Sequence, residues 1–243
     1  KLPFVGVAYG TMAYDIIREF EDISDNNPDE LRVPDSDMFF VKEGVIYDHF
    51  HEKITIVVLA EENDVEEAKN RLVEIKKEIF ESSVKISFPE KNVGKKPVNA
   101  NTTRAEYVEM VNKAKKYIVE GDIFQVVLSQ RWVMEQDLHP FEVYRVLRST
   151  NPSPYLFYFN FGDYKVAGSS PEMLVEIKEG HIKNCPIAGT RKRGKDREED
   201  IKIAKELMDD PKERAEHVML VDLARNDMGR VAKVGSVEVT EFM

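Results

Sequence analysis

Residues 186–191 read Pro-Ile-Ala-Gly-Thr-Arg, and residues 213–217 read Glu-Arg-Ala-Glu-His. The first stretch is a short apolar strand that breaks at a glycine and ends in a hydroxyl and a basic patch. The second stretch puts two carboxylates one helical turn apart on an otherwise apolar helix. Because a carboxylate on an apolar face is unfavourable unless a cation pairs it, a divalent metal or a nearby basic side chain is expected there. Together the two stretches indicate a site that holds a small anion through a metal ion and basic groups.

The two glutamates of this helix have different alternatives. Asp210 is placed to cap the helix, Pro211 suits its first turn, and Glu213 is placed to close a capping box. Capping and metal binding are therefore equally supported for Glu213, whereas Glu216 lies on an apolar face, which favours a functional role. Two carboxylates without a soft ligand suit Mg²⁺. We assign His217 a structural hydrogen bond rather than a metal contact. The apolar residues on the face of Glu216 are Met219, Leu220 and Leu223.

Composition restricts the class of protein. The chain has 243 residues, 42% of them hydrophobic, and a formal net charge of −10 from 45 acidic and 35 basic residues. This acidic balance argues against nucleic acid as the main partner, and no apolar run approaches the ~20 residues of a transmembrane helix. Cys185 is the only cysteine, so an internal disulfide and a cysteine metal site are excluded, and a reduced, cytoplasmic setting is expected.

The two ends of the sequence bear on its completeness. The chain begins at Lys1 without a methionine or a signal-peptide pattern, and it ends at Met243 in a strand-like run. We therefore expect a piece of a longer protein that lacks both ends.

Strand and helix patterns mix without a regular βαβ rhythm, which predicts an α+β fold with mixed or antiparallel sheets and flanking helices. We divide the chain into residues 1–95, an amino-terminal strand and helix portion, and residues 96–243, which carry the site motifs, and we do not regard the two as independent domains. The segment 22–34 is a polar loop, and 82–101 is a linker.

Local signals place the individual elements. Thr103 and Glu106 form a capping box, and Gly121 is placed to end the helix that this box begins. Periodicity predicts the remaining elements. Strands are predicted at 5–9, 38–42, 45–48, 54–59, 123–134, 155–161, 165–167, 173–178 and 181–184, and helices at 65–80, 141–148, 198–208 and 211–226.

Two further polar residues are candidates on weaker grounds. Alternation along 123–134 puts Gln125 on a polar strand face, where a solvent-exposed edge is slightly favoured over the wall of a site. Glu172 follows the turn at 168–171, where burial would suit it to general acid work, although acids are common in turns. The residues read as ion pairs and caps at the end of the last helix are Asp222, Arg225, Asn226 and Asp227.

In this order the motifs resemble the chorismate-utilising enzymes, and most closely component I, the large subunit, of anthranilate synthase. The likeness is dense from about residue 101 to the end and thinner before, where Gly10 and Tyr14-Asp15 fit an earlier strand and helix of the family. Five long motifs carry it. They are Gly-Asp-Ile-Phe-Gln-Val-Val-Leu-Ser at 121–129, Asn-Pro-Ser-Pro-Tyr at 151–155, Gly-Ser-Ser-Pro-Glu at 168–172, Pro-Ile-Ala-Gly-Thr-Arg at 186–191 and Ala-Glu-His-Val-Met-Leu-Val-Asp-Leu-Ala-Arg-Asn-Asp at 215–227.

The resemblance implies a lyase that converts chorismate and ammonia to anthranilate and pyruvate, the first step of tryptophan biosynthesis. Glu172 would protonate the C4 hydroxyl as it leaves. Gln125 stands where water-adding members carry a lysine base, and it would orient ammonia for addition at C2. Ala188 stands where aminodeoxychorismate members carry a nucleophilic lysine, so alanine argues against that adduct.

The resemblance also implies a magnesium ion, a partner subunit and a feedback inhibitor. Glu216, assisted by Glu213 through water, would hold Mg²⁺, and Gly189 and Thr190 would contact the substrate carboxylate. A glutamine amidotransferase subunit, component II, would supply ammonia, and tryptophan would bind as feedback inhibitor. The feedback segment maps to Asn151, Pro152, Ser153, Pro154, Tyr155, Leu156 and Phe157.

Several parts of the family pattern lie outside this sequence. They are the amino-terminal segment that completes the tryptophan site, a catalytic histidine, the remaining magnesium glutamates and a glycine-rich substrate loop. We therefore expect this stretch alone to be inactive. The alternatives are another chorismate enzyme, such as an aminodeoxychorismate, isochorismate or salicylate synthase, and a non-catalytic module that binds chorismate or tryptophan. Glu172 and Glu216 argue against the module, because a binding protein has no use for an acid and a metal ligand.

Overall fold

The computed structural model describes residues 7–83 and 96–243. Contacts divide this part of the chain into two compact units. One unit comprises the described residues up to 83 together with Phe159–Tyr164, and the other comprises Lys96–Tyr158 and Lys165–Met243.

Strands and helices mix along both units. Short 3₁₀-helices lie at Tyr14–Glu19 and Glu62–Asp64. The strands are β1 (Val7–Met12), β2 (Ser36–Val41), β3 (Glu43–Asp48), β4 (Lys53–Val58), β5 (Val98–Ala100), β6 (Trp132–Met134), β7 (Tyr155–Asn160), β8 (Lys165–Ser170), β9 (Glu176–Lys178) and β10 (His181–Lys183). The α-helices are α1 (Val65–Glu81), α2 (Arg104–Glu120), α3 (Pro140–Thr150), α4 (Arg197–Asp209) and α5 (Pro211–Val231).

The strands form two-stranded pairs, β1 with β2, β3 with β4, β5 with β6, β7 with β8 and β9 with β10. The pairs β1–β2, β3–β4, β5–β6 and β9–β10 are antiparallel. Small antiparallel sheets with helices between them confirm the predicted α+β class.

The first unit is held together where α1 packs on β4. Val57 of β4 and Ile75 of α1 are buried, and the apolar stripe of α1 confirms the helix predicted at 65–80. Arg71 of α1 donates from Nε and Nη2 to the two carboxylate oxygens of Glu43, each at 2.8 Å. This bidentate pair fixes the helix to the start of β3.

The hairpin tip Phe159–Tyr164 belongs to the same unit. The ring of Phe161 stacks on Phe39 of β2 with centroids 4.6 Å apart, and the Tyr164 hydroxyl donates to Asp37 at 2.7 Å. Gly162 takes a φ of 89° in the turn between β7 and β8, the strands predicted at 155–161 and 165–167.

Local capping shapes the second unit. The Thr103 hydroxyl accepts from the Glu106 N–H at 3.3 Å, the Glu106 carboxylate accepts from the Thr103 N–H at 2.8 Å, and Gly121 ends α2 with a φ of 84°. The predicted capping box and helix stop are both confirmed. The same carboxylate accepts from the Thr103 hydroxyl, and these hydrogen bonds from Thr103 lower the pKa of Glu106.

The long strand predicted at 123–134 is wrong. Only Trp132–Met134 forms a strand, paired with Val98–Ala100, and residues 123–131 are irregular. Alternation describes a chain that could lie in a sheet, but a strand also needs a neighbour for its backbone N–H and C=O groups. No strand of the described ranges runs beside residues 123–130.

Other boundaries differ in smaller ways. The strand predicted at 173–178 is confined to Glu176–Lys178, and α5 runs to Val231 instead of ending at residue 226. The linker predicted at 82–101 contains β5, and its residues 84–95 lie outside the described residues, as do residues 5 and 6 of the first predicted strand.

Few apolar side chains of the described residues are buried. The buried ones are Val57, Ile75 and Val221. Many large apolar residues are exposed, and Phe124 of the irregular segment is 90% exposed. No described helix combines the length and the hydrophobicity that crossing a bilayer requires.

Candidate functional site

The loop at 186–190 approaches the junction between α4 and α5 at Gly189. Gly189 has a φ of 91°, a conformation that L side chains rarely adopt. A Cβ on this residue would lie 3.1 Å from Leu207 Cδ1 and 3.3 Å from Glu213 Oε2. The backbone angle therefore favours glycine here, and a Cβ would also require the Leu207 and Glu213 side chains to shift.

Arg191 fastens the end of this loop to the first turn of α5. Its Nη1 donates to the Thr190 carbonyl at 2.9 Å and to Glu213 Oε1 at 3.0 Å, and its Nη2 donates to Asp210 Oδ2 at 2.8 Å. The hydrogen bond to Glu213 is the main cause that raises the pKa of the Arg191 guanidinium. A nearby basic side chain was one of the two cations expected for the carboxylates of this helix, and Arg191 is that side chain for Glu213.

The start of α5 is capped as predicted. Asp210 accepts from the backbone N–H groups of Lys212 at 2.9 Å and Glu213 at 3.2 Å. These bonds, the Glu213 N–H first, lower the pKa of Asp210, and the charge of Arg191 adds to the effect. The Glu213 carboxylate, however, pairs with Arg191, and no bond that would close a capping box is seen among the described residues. The ion pairs of Arg191 thus join the motif at 186–191 to the motif at 213–217.

Glu216 lies one turn further along α5. Its side chain is half-buried, and within residues 7–83 and 96–243 it makes no hydrogen bond or ion pair. The described residues hold no cluster of three or more histidine, cysteine, aspartate or glutamate side chains that could bind a metal. Mg²⁺ keeps several waters and is often bound by one or two carboxylates, so an uncommitted Glu216 fits such an ion. Glu213, paired with Arg191, fits as an indirect contact.

His217, next to Glu216, makes the structural hydrogen bond expected of it. Its Nε2 lies 2.7 Å from the carbonyl oxygen of Phe242. This contact ties the middle of α5 to the last residues of the chain.

Glu172 follows β8 and reaches the same loop from its other end. Its Oε1 accepts from the Ile187 N–H at 3.3 Å, and its carbonyl accepts from the Ser170 hydroxyl at 3.0 Å. The candidate acid is thereby placed beside the residue that precedes Ala188. The side chain is exposed, so the described residues do not provide the burial that would suit it to general acid work.

Gln125 is placed differently from its prediction. It lies in the irregular segment 123–131, so the polar strand face proposed for it is not formed, and its side chain is exposed. Its neighbour Phe124 borders a shallow hollow with Met219 and Leu223 of α5. Phe124 therefore comes near the helix that carries Glu216, whereas Gln125 itself makes no hydrogen bond within the described ranges.

The residues after Glu216 along α5 were predicted as ion pairs and caps. Arg225 donates to Asp222 at 3.3 Å, which confirms one such pair. They do not end the helix, because α5 continues to Val231.

The segment Asn151–Phe157 is joined to β8 near Glu172. The Ser169 hydroxyl donates to the Asn151 carbonyl at 2.6 Å and lies 2.9 Å from the Ser153 hydroxyl. The ring of Phe157 occupies the space that a Cβ on Gly168 would need. Ser153 and Phe157 are half-buried, whereas Asn151 is exposed.

The structure thus brings together Glu172, the loop at 187–191 and the start of α5. The contacts that do so are long-range in sequence: Glu172 to Ile187 and Arg191 to Asp210 and Glu213. The sequence predicted that a metal ion or a basic side chain would pair the carboxylates of the helix, but no linear pattern identifies Arg191 as the partner of Asp210 and Glu213.

Comparison with known proteins shows the family to which the chain belongs. The family described as chorismate binding enzyme matches residues 1–243. The chain is 45% identical to anthranilate synthase component 1 of Acetivibrio thermocellus over 251 residues, covering 99% of this chain and 51% of that protein. It is 40% identical to aminodeoxychorismate synthase component 1 of Bacillus subtilis over 245 residues, covering 99% and 51%.

A solved structure of a similar protein has the same fold. The crystal structure of anthranilate synthase component I from Streptococcus pneumoniae TIGR4 matches with a TM-score of 0.89 and 38% identity, covering 99% of this chain and 54% of that chain. The chain spans about half the length of the curated relatives it matches.

Proposed function

Because the chain belongs to the family of chorismate binding enzymes, we propose that the intact protein is component I of an anthranilate synthase. It converts chorismate and ammonia to anthranilate, pyruvate and water. The similarity to proteins named anthranilate synthase component 1, at 45% and 46% identity in two of them, supports this member of the family.

The contact between Glu172 and Ile187 carries the proposal, because it joins a carboxyl group to the loop that would receive the substrate. In this reading the Glu172 carboxyl protonates the C4 hydroxyl of chorismate as that group leaves as water. The half-buried Gly189 and the exposed Thr190 provide the backbone and hydroxyl groups for the substrate carboxylate.

Gln125 and Ala188 determine which nucleophile adds to chorismate. An amide cannot deprotonate water, but it can accept a hydrogen bond from ammonia and orient its lone pair toward C2. Ammonia is itself nucleophilic and needs no base to add. Ala188 has no amine with which to form a covalent adduct at C2, so C2 is left free for ammonia to add there. Pyruvate is then eliminated, and the ring becomes aromatic.

A magnesium ion would be held by Glu216 directly and by Glu213 through a water molecule. When bound, it neutralises the negative charge of the substrate carboxylate. The role of Glu216 rests on its half-buried and uncommitted side chain, and that of Glu213 on its place one turn earlier on the same helix.

Ammonia is scarce at neutral pH because most of it is ammonium. We therefore propose a glutamine amidotransferase subunit as partner, a cytoplasmic location for the pair, and tryptophan as feedback inhibitor at Asn151–Phe157. The half-buried Leu156 and Phe157 of that segment offer apolar contacts for an indole ring.

Aminodeoxychorismate synthase is the second candidate, supported by the 40% identity to the Bacillus subtilis protein of that name. The two reactions give different products from the same substrates. The intact protein incubated with chorismate, Mg²⁺ and ammonium should form fluorescent anthranilate and pyruvate in equal amounts, identified by mass. A product that retains the enolpyruvyl group would favour aminodeoxychorismate synthase, and no product would contradict both.

A further inference from the structure

We propose that Arg191 is a positioning residue that couples the substrate loop to the carboxylates at the start of α5. The inference rests on the proposed function, in which Gly189 and Thr190 receive the substrate carboxylate. Arg191 is not expected to touch the substrate, because its guanidinium is directed at groups of the protein itself.

Arg191 binds three acceptors that belong to the loop and to the start of α5. One guanidinium bonds the Thr190 carbonyl, the Glu213 carboxylate and the Asp210 carboxylate, all between 2.8 and 3.0 Å. A planar fork of N–H groups can satisfy several acceptors at once, whereas an ammonium group provides a point charge. Arginine thus joins a loop carbonyl to two side chains of the next helix.

The three side chains of this network are partly buried. The side chains of Arg191, Asp210 and Glu213 are 35%, 30% and 20% exposed, so this network is partly shielded from water. Next to it Gly189 is pressed against Leu207 and Glu213, and any drift of the loop would change that close approach. We therefore expect the geometry of the loop to depend on Glu213 and Arg191.

Arg193 provides the contrast two residues later. Its side chain is 88% exposed and pairs with Asp200, which also accepts from the Gly194 N–H at 2.9 Å. That contact fixes the turn before α4 and involves neither the loop carbonyl nor the start of α5. Arg193 is therefore a matched control for charge and residue type.

The test compares Arg191→Ala and Arg191→Lys with Arg193→Ala and Arg193→Lys in the intact protein. Arg191→Ala should raise the chorismate KM about tenfold or more and change kcat much less, because substrate binding loses its positioned loop. Arg191→Lys should fall between Arg191→Ala and the unchanged protein, since lysine keeps the charge but not the fork. Both Arg193 variants should keep the chorismate KM within about twofold.

A second measurement does not depend on activity. Amide hydrogen exchange should be about tenfold faster for residues 187–190 in Arg191→Ala than in the unchanged protein, while the middle of α5 exchanges at the same rate. This local comparison also separates a loosened loop from a variant that fails to fold, in which α5 would lose protection as well; Arg191→Lys then carries the test.

The two proposals fail in different ways. If Arg191→Ala matches Arg193→Ala in both KM and exchange, the positioning role is overturned, whatever the reaction. If the unchanged protein does not turn over chorismate but Arg191→Ala still loosens residues 187–190, the positioning of the loop is upheld and the proposed function fails.

Discussion

The Glu172 carboxylate accepts a hydrogen bond from the Ile187 N–H at 3.3 Å, across fifteen residues of sequence. At the other end of the same loop the Thr190 carbonyl accepts from Arg191 at 2.9 Å. The loop between them contains Ala188 and Gly189. It is therefore fastened at one end to the candidate acid and at the other to the helix of the candidate metal ligands.

Replacing Gly189 by alanine should destabilise the protein. A side chain at a φ of 91° is strained, and its Cβ would lie 3.1 Å from Leu207 Cδ1. We expect a loss of about 1–2 kcal/mol in the free energy of unfolding, measured by denaturant titration of the intact protein.

Gly229→Ala is the matched control, with the opposite sign. Gly229 lies inside α5, it is exposed, and a Cβ there would meet no described atom within 4 Å. Because alanine is the better helix former, we expect a gain of roughly 0.5–1 kcal/mol. Equal effects at the two glycines would refute the strain assigned to Gly189.

The Arg193–Asp200 pair should stabilise the folded protein near neutral pH and lose this effect in acid. Hydrogen bonds from Arg193 and then from the Gly194 N–H lower the pKa of Asp200 from 3.8 to about 2. A carboxyl whose pKa is lower in the folded protein stabilises it at pH values above 3.8, and this contribution is lost as the pH falls toward 2. The difference in melting temperature between the unchanged protein and Asp200→Asn should therefore shrink over that interval.

Asp209→Asn serves as the control for this pH experiment. Asp209 is exposed, and its side chain makes no ion pair within the described ranges. Its substitution should have little effect on the melting temperature at the upper end of the interval. An Asp200→Asn difference that does not depend on pH would show that the Arg193–Asp200 pair does not stabilise the fold.

Gln125→Lys should change the product. A lysine amine can take a proton from water, which glutamine cannot do, so part of the chorismate should acquire a hydroxyl at C2 in place of an amino group. Mass analysis of the products at limiting ammonium would detect the change, with Gln130→Lys as control in the same irregular segment. A product that is anthranilate alone would contradict the role given to Gln125.

Local interactions of this fold could be predicted from the sequence, and long-range ones could not. The capping box of α2 and the apolar stripe of α1 depend on neighbours three or four residues away, so the pattern contains all that forms them. The segment 123–131 alternates like a strand but is irregular, because pairing depends on a partner elsewhere in the chain.

The candidate site also contains local contacts that the sequence predicts and long-range contacts that it does not. Asp210 as a helix cap followed from its position before Pro211, and the structure confirms it. The guanidinium of Arg191 reaches Asp210 and Glu213 across 19 and 22 residues of sequence, a contact that no periodicity encodes. The roles of Glu172, Gln125 and Glu216 remain predictions that follow from the family resemblance.

Glu172→Gln in the intact protein tests the central claim most directly, with Glu176→Gln, an exposed glutamate of β9, as control. The amide keeps the shape of Glu172 but cannot protonate the leaving hydroxyl. We predict that kcat for anthranilate formation falls on the order of 10²-fold or more, while chorismate still binds with nearly unchanged affinity by equilibrium dialysis. Turnover equal to that of Glu176→Gln would contradict the assignment of Glu172 as the acid.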